Sequence, residues 1–362
     1  MKKNILMIGM GRNTGGVESY IINLIRNIDR YKYQFYFLYR GEIAYEDEVI
    51  NLGVKLVPVN ASRHNPIKYI KTFNKVFKKY KFDVVYYNTC DIMSMDMIML
   101  GKKYGVPVRI IHSHSSYNII PPNLLHRLTE KWCRKHLDDY ATKLLACSQV
   151  AGDWMFDKSQ YSVVNNGIKT EKFIFNAQIR DEKREFMHIH EKYVVGFIGR
   201  LDKEKNPLFL IDVFAELYKK RNNSVLLVVG DGSMKNEIVE RANQHQVLHS
   251  IKFLGVRSDI NQLMNAMDCF LLPSLFEGLP FVLVEAQTNG LPCVVSTDVS
   301  RESNINGEVQ FISRSESAEY WASVVGTAKP CHDRRKYVEI MRDKQFDIKD
   351  TISIVEEYLT EM

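Results

Sequence analysis

Glu277 and Glu285 stand eight residues apart in the run Pro273-Ser274-Leu275-Phe276-Glu277-Gly278-Leu279-Pro280-Phe281-Val282-Leu283-Val284-Glu285-Ala286. A short apolar segment, Cys269–Leu272, precedes the run, and Gly290-Leu291-Pro292 follows it. Pro280 has the locked φ suited to a first helical position, so a helix is expected to open there and to stop at Gly290. The N–H groups of Phe281 and Val282, reached through Leu279 and Pro280, are then left unpaired at a helix N-terminus, where phosphates bind. Glu277 lies on the approach to the helix and Glu285 inside it, so both can face one ligand. Carboxylates accept hydrogen bonds from vicinal hydroxyls, which suits a sugar and a ribose. Two glutamates at this spacing are usually solvated surface; the loop-to-helix position between Gly and Pro favours the functional reading.

A second cluster, Gly199-Arg200-Leu201-Asp202-Lys203-Glu204-Lys205-Asn206-Pro207, follows the apolar run Val194–Ile198. Arg offers a planar fork and Lys a point charge, a combination that suits a diphosphate. Taken alone, the same residues also read as an exposed ion-pair loop of Arg200 with Asp202 and Glu204. Nearer the start, Gly9-Met10-Gly11-Arg12-Asn13-Thr14-Gly15-Gly16 follows Ile5–Ile8 and opens a helix. A dinucleotide fingerprint needs a third glycine where Thr14 stands, so the NAD signal is a near miss. Gly15 and Gly16 would still let backbone come close to a ligand. His112-Ser113-His114 ends another apolar run, either as buried core histidines or as ligand-facing groups. No metal-ligand spacing, D-x-D or H-x-x-x-H surrounds them, so no essential divalent ion is expected.

Elements that position these residues alternate along the whole chain. Strand-like runs over Ile5–Ile8, Phe35–Tyr39, Val84–Tyr87, Arg109–His112 and Leu144–Cys147 form one series. Val194–Ile198, Val225–Val229, Ile251–Leu254, Cys269–Leu272 and Cys293–Ser296 form another. They are apolar on both faces and short, as strands of a covered parallel sheet are. Amphipathic stretches such as Val17–Asn27, Pro66–Lys79, Pro207–Lys220 and Met234–Gln244 lie between. The fold class is therefore α/β, two Rossmann-like doubly wound domains. The charged, apolar-poor Lys169–Lys192 reads as the linker, giving domains over 1–185 and 190–345 and a last helix within 346–362.

Composition agrees with a globular protein of 362 residues, 45% hydrophobic and 25% charged. Six dispersed cysteines without a C-x-x-C pair fit a reducing cytoplasm. Lys2-Lys3 before Ile5–Met10 mimics a signal peptide but lacks a cleavage site, and no apolar run is long enough to span a bilayer. The net charge of +6 conceals an asymmetry: residues 1–190 carry +11 and the remainder −5.

Asn166-Gly167-Ile168, Gly199-Arg200 with Lys205-Asn206-Pro207, Gly230-Asp231-Gly232 and the Glu277 to Glu285 element occur in one order. In this the chain resembles the retaining GT-B glycosyltransferases of family 4, close to capsular and exopolysaccharide enzymes, from Met7 to about Asn306. The resemblance implies two domains facing across a cleft, with a nucleotide-sugar held mainly by the second and the C-terminal helix crossing back to the first. It implies that Arg200 and Lys205 neutralise the diphosphate, Glu277 holds donor hydroxyls and Glu285 the ribose. Asn166 and Gly230 belong to the same donor-site motifs, and Gly15 and Gly16 close over the phosphates. A histidine beside the donor sugar is implied as well; the register admits His112 or His114 and favours His114. UDP-sugar is favoured over GDP-mannose, and a hexosyl group would pass to a growing, lipid-linked glycan of a surface polysaccharide. Other readings are an NAD(P)-dependent oxidoreductase, a nucleotide-sugar epimerase on a similar fold, and a non-catalytic sugar-binding protein.

Two segments suggest where an acceptor arrives. Pro66–Tyr80 sets Lys68, Lys71, Lys75, Lys78 and Lys79 beside Ile67, Ile70, Phe73, Val76 and Phe77. Ile119-Ile120-Pro121-Pro122-Asn123-Leu124-Leu125 is apolar and precedes Arg127, Lys131, Arg134 and Lys135. An anionic membrane surface explains the basic first half better than nucleic acid does, because no base-reading motif accompanies it. The expected location is cytoplasmic, peripheral at the inner face of the plasma membrane.

Overall fold

The apolar run ahead of the first glycine turn is β1 (Lys3–Ile8), a central strand in which Ile5 and Leu6 are fully buried. A computed structural model describes residues 2–12, 15–62, 64–116 and 123–360 of the chain. It divides into two units, Met1–Gly167 with Ile348–Met362, and Ile168–Asp347.

The first unit holds β1, β2 (Tyr33–Tyr39), β3 (Lys55–Pro58), β4 (Val84–Thr89), β5 (Val108–Ser113), β6 (Lys143–Ala146) and β7 (Ser162–Val163). They form one parallel sheet in the order β3-β2-β1-β4-β5-β6-β7. The strand order reverses at β1/β4, and ligands of doubly wound sheets bind beyond the strand ends at such a point. The edge strands β3 and β7 are short and partly exposed, so their apolar signal is weak in the sequence.

The second unit repeats the plan with β8 (Tyr193–Ile198), β9 (Ser224–Val229), β10 (Ile251–Gly255), β11 (Cys269–Leu272), β12 (Cys293–Ser296) and β13 (Gln310–Ile312). Their order is β10-β9-β8-β11-β12-β13, all parallel, and the reversal falls at β8/β11. β9 is buried along its whole length, which is why its sequence, SVLLVV, lacks alternation. The Arg200–Lys205 loop leaves β8 and the Glu277 loop leaves β11, so neighbouring strand ends carry both clusters.

Residues 168–185, expected in the first domain, belong to the second unit, and the expected linker is an ordered helix, Ala177–Phe186. Few apolar contacts hold it. Arg180 and Arg184 both pair with Asp268, at 2.5 and 2.6 Å, and Lys183 pairs with Asp259 at 2.8 Å. Asp268 also accepts the Val194 N–H at 2.8 Å, so the helix is tied to β8 through a shared carboxylate. A charge-paired contact has no hydrophobic periodicity, which explains the misreading as linker. The chain enters and leaves this unit side by side, through an Ile168 bridge to Asp347 and an Ile168 N–H bond to Phe346 O at 3.0 Å.

The final helix, Ile348–Thr360, packs in the first unit against the helix Gly16–Asn27. Val355 and Leu359 are fully buried there, the Thr351 hydroxyl donates to Asn165 O at 2.9 Å, and Lys3 Nζ donates to Leu359 O at 3.1 Å. Among the described residues no helix is long and apolar enough to cross a membrane, and no cluster of three His, Cys, Asp or Glu side chains could hold a metal ion.

Candidate functional site

In the second unit, the β8 and β11 loops are bound to each other before any ligand is considered. Leu275 N–H donates to Glu204 O at 2.8 Å, joining the two backbones. Lys205 Nζ and Glu277 Oε1 form an ion pair, both side chains largely buried, and Ser274 Oγ donates to the same carboxylate at 3.2 Å. Glu277 is further fixed by its backbone, donating to Asp298 O at 3.2 Å and accepting from Ser300 N–H at 2.9 Å. A carboxylate clamped from three loops loses little entropy when a ligand hydroxyl meets it, which is preorganisation.

The Arg200 loop rests on the loop after β9. Leu201 N–H donates to Asp231 O at 2.9 Å and Met234 N–H to Leu201 O at 2.9 Å. Gly230 has φ +127°, and a Cβ there would lie 1.9 Å from Gly199 O. Its own N–H is donated to Gly255 O at 2.8 Å, so Gly230 shapes the loop and has no donor left for a ligand. Arg200 itself is half exposed and pairs with Asp202 at 3.2 Å and Glu204 at 3.3 Å. The ion-pair arrangement considered from the sequence therefore exists, and a polyanion would have to compete for the guanidinium. Asp202 Oδ1 is buried without a hydrogen-bond partner among the described residues.

Pro280 is the residue before the helix, with φ −70° and ψ 129°, and the helix spans Phe281–Thr288. This is one residue later than expected, because Pro280 O already accepts from Leu283 and Val284. Phe281 and Val282 N–H have no partner among the described residues, so the helix opens with two unpaired donors at its positive end. Leu279 is buried and anchors the turn into the second core. Glu285, on the second turn, is half-buried and meets no donor among the described residues. Its loss of water pushes the carboxyl up to about 8.

In the first unit, Gly9 at φ +120° passes so close to β4 that a Cβ would lie 2.7 Å from Asn88 O. Glu18 reaches back into the glycine turn: its carboxylate accepts Gly11 N–H at 3.1 Å, and a Cβ on Gly11 or Gly15 would meet it at 2.7 or 2.8 Å. An anion in that position opposes a dinucleotide pyrophosphate, a physical reason beyond Thr14 for the imperfect fingerprint; Thr14 itself lies outside the described residues. Gly16, the first residue of the helix, faces open space at its Cβ position.

The two histidines have different surroundings. His112 is fully buried in β5, its Nδ1 2.9 Å from Tyr86 Oη, which is 2.9 Å from Tyr20 Oη, and its Nε2 has no partner among the described residues. His114, just beyond β5, is half-buried, its ring tilted against those of His112 and Tyr20 with centroids 4.1 and 4.7 Å away. Burial holds His112 far below its usual range and His114 down to about 3, so both rings are neutral. Asn88 Nδ2 donates to Ile8 O at 3.0 Å, which turns its Oδ1 toward His114 Nε2 at 3.0 Å. That assigns the proton to Nε2 and leaves His114 Nδ1 as an acceptor. Asn166 is buried at the end of the first unit, next to Gly167, whose O accepts from Asn23 Nδ2 at 2.6 Å.

The structure thus joins Lys205, Glu277 and the helix start, while Glu18, Asn88, Tyr86 and Ser274 were not anticipated. Asn88 was findable in principle, because a polar residue ending an apolar strand at a sheet reversal marks a ligand edge.

Two family models match the chain: "Glycosyltransferase Family 4" over residues 14–172 and "Glycosyl transferases group 1" over 178–338. A putative glycosyltransferase, EpsF, of Bacillus subtilis is 34% identical over 338 residues, 90% of this chain and 88% of that protein. An Escherichia coli UDP-Gal:alpha-D-GlcNAc-diphosphoundecaprenol alpha-1,3-galactosyltransferase is 30% identical over 275 residues, 72% and 68% of the two chains. Among solved structures, Anabaena HepE in complex with UDP aligns with TM-score 0.78 over 100% of both chains at 19% identity, a likeness of fold. Two parallel Rossmann-like sheets, both family models and relatives aligned over most of their length agree: the chain belongs to the family 4 glycosyltransferases and has the GT-B fold.

Proposed function

We propose that the protein is a retaining glycosyltransferase that moves a hexosyl group from a UDP-sugar to a lipid-linked glycan during assembly of a surface polysaccharide, at the inner face of the plasma membrane. The observation that carries this reading is the Lys205–Glu277 pair beside the unpaired helix start at Phe281, at the β8/β11 reversal. UDP is the nucleotide in the HepE complex, and the E. coli relative is named for a diphosphoundecaprenol acceptor.

In this mechanism, charge develops on the departing diphosphate while the anomeric carbon becomes cationic. Lys205, Arg200 and the Phe281 and Val282 N–H groups stabilise that charge from preformed positions. Glu277 accepts donor hydroxyls and Glu285 the ribose hydroxyls. Gly16, whose Cβ position is open, approaches the phosphates at the helix start, Gly15 beside it leaving room for the Glu18 carboxylate to turn back away from them, and His114 offers Nδ1 to a sugar hydroxyl. The acceptor oxygen bonds to the anomeric carbon on the face from which the diphosphate leaves, and its proton passes to a phosphate oxygen. No carboxylate is needed as nucleophile, in contrast to a retaining glycosidase. The positive charge comes from side chains and helix end, so activity is expected without a divalent cation.

Arg200→Ala and Glu277→Ala each lower kcat by about 10²–10³, the usual cost of one preorganised transition-state contact. Turnover of a UDP-sugar panel with an undecaprenyl-diphosphate sugar acceptor, read by mass spectrometry, measures this. Wild-type rates in either folded variant overturn the assignment. Stabilisation by UDP but not NAD in a thermal-shift assay separates it from a dehydrogenase.

A further inference from the structure

Glu277 is held in place by more than Lys205. The loops that leave β8, β11, β12 and β13, four neighbouring strands, carry in turn Lys205, Glu277, Asp298 and Arg314. An ion pair stands at each end of this row, Lys205 with Glu277 and Arg314 with Asp298. Backbone joins the middle. Glu277 N–H donates to Asp298 O at 3.2 Å, Ser300 N–H donates to Glu277 O at 2.9 Å, and Glu277 bridges Val299 in parallel. The loop after β11 is therefore laddered against the loop after β12, just where its carboxylate is carried.

Asp298 gives that second loop its shape. Its N–H donates to Ser296 Oγ at 3.1 Å, and Ser296 Oγ donates to its carboxylate at 2.9 Å. Arg314 meets the same carboxylate through Nε and, at 3.4 Å, through Nη2, which holds the carboxyl below its usual range. Arg314 is rooted in turn, because the preceding Ser313 O accepts Nε1–H of the fully buried Trp321 at 3.1 Å. Farther along, Gln287 of the Phe281–Thr288 helix donates to Ser303 O at 2.8 Å and accepts Ile305 N–H at 3.0 Å. The Asp298 tether adjoins the residues that grip Glu277; the Gln287 tether lies beyond them. Arg314 and Asp298 are partly exposed, at 43% and 34%, and so open a pair contributes only about 0–1 kcal/mol to global stability. Its two-point contact fixes a direction more than it adds energy.

We propose that Asp298 and Arg314 are positioning residues for Glu277: their pair locks the loop after β12, whose backbone sets where the Glu277 carboxylate meets the hydroxyls of the donor sugar. The proposal rests on the reading of Glu277 as the group that holds those hydroxyls. Placement matters there, since a shift of ~1 Å in a positioned group can cost about 10²-fold in rate. The nucleotide is assigned to other groups, Glu285, Arg200 and the helix start, so UDP without its sugar is expected to bind almost as before.

The test compares Arg314→Ala, Asp298→Asn and Arg314→Lys with the wild type, all as the full chain. In the first two, kcat/KM for the UDP-sugar that the wild type turns over falls about tenfold or more. Arg314→Lys recovers part of the loss, because it restores the charge without the planar fork. The Kd of UDP, read by calorimetry, changes little, as does Tm. In a Glu277→Ala background the same substitutions have no further effect, since changes that act through one group do not add. Amide hydrogen exchange at Glu277 and Ser300 quickens in Arg314→Ala. Wild-type kcat/KM in Arg314→Ala overturns the proposal. So does a parallel loss of UDP affinity, which marks general loosening, or a full additional effect in the Glu277→Ala background. Unchanged exchange at the two amides overturns it as well. A Glu277→Ala variant with the wild-type rate strikes the reading of Glu277, and the exchange measurement still decides whether the pair holds the loop.

Discussion

At the scale of single residues, the sequence shows which types are present but not which atoms remain available. His112 and His114 stand only two residues apart, yet one is spent in a hydroxyl chain with Tyr86 and Tyr20 and the other reaches the surface with Nδ1 unprotonated. His112→Ala is expected to lower stability by about 3 kcal/mol through the cavity and the broken buried network, with little change in kcat for the folded fraction. His114→Ala is expected to do the reverse, holding Tm and lowering kcat. Urea unfolding set beside turnover separates the two. Glu285 offers a second distinction. Its carboxyl keeps a proton up to about pH 8 in the fold, against about 4.3 in an unfolded chain. Between these values the folded state binds more protons, so this group's contribution to stability falls as pH rises. In the proposed donor complex, ribose hydroxyls donating to the carboxylate would favour its charged form, so UDP affinity is expected to rise with pH up to about 8. Glu285→Gln raises the Tm of the ligand-free protein at alkaline pH, weakens UDP binding and flattens that pH dependence. Calorimetry across the range reads both effects, and an unaltered slope in the variant contradicts this role.

At the scale of elements, loops gain their precision from backbone contacts that leave only faint marks in a sequence. The Arg200 loop keeps its shape because Gly230 lets the loop after β9 touch it, with no room for a methyl group. Gly230→Ala is expected to cost about 3 kcal/mol or more, since the strained φ and the clash with Gly199 O act together. It should also reduce UDP affinity by displacing Arg200; differential scanning calorimetry with a UDP titration measures both. The eight residues of Phe281–Thr288 are legible because Pro280 and Gly290 punctuate them. The helix Ala177–Phe186 is not, since arginine pairs with Asp268 replace the apolar stripe that would have announced it.

At the scale of the molecule, the placement of two segments revises the charge balance. Assigning 168–190 to the second unit and the final helix to the first changes +11 and −5 into +7 and −1. The first unit remains the basic one, but its excess is smaller than a cut of the linear chain suggests. What concentrates it is the helical layer containing Pro66–Tyr80 and Leu124–Lys135, both nearly free of acids. The final helix also has a mechanical consequence. Val355 and Leu359 are fully buried in the first unit. Val355→Asp should therefore unfold that unit or cost it about 4 kcal/mol, while the second unit still binds UDP. Hydrogen exchange followed separately in each unit checks this.

The sequence by itself determined the α/β class, the two series of strands, the family and the neighbourhood of Glu277, Glu285, Arg200 and Lys205. These depend on local signals: apolar runs too short for helices, and glycines and prolines at fixed offsets from charged groups. The segment 117–122, read from sequence as part of an apolar acceptor loop, lies outside the described residues; only its continuation is described, with Leu124 and Leu125 exposed at the start of the helix Leu124–Lys135. Tertiary structure alone decided that Lys205 and Glu277, 72 residues apart, share an ion pair, that Glu18 fills the glycine turn, and that the leucines of Leu124–Lys135 face outward. The physical reason is common to all three. Strand order, which side of a sheet a helix covers, and the partner chosen by a charge depend on contacts between distant segments, and no period along the chain encodes them.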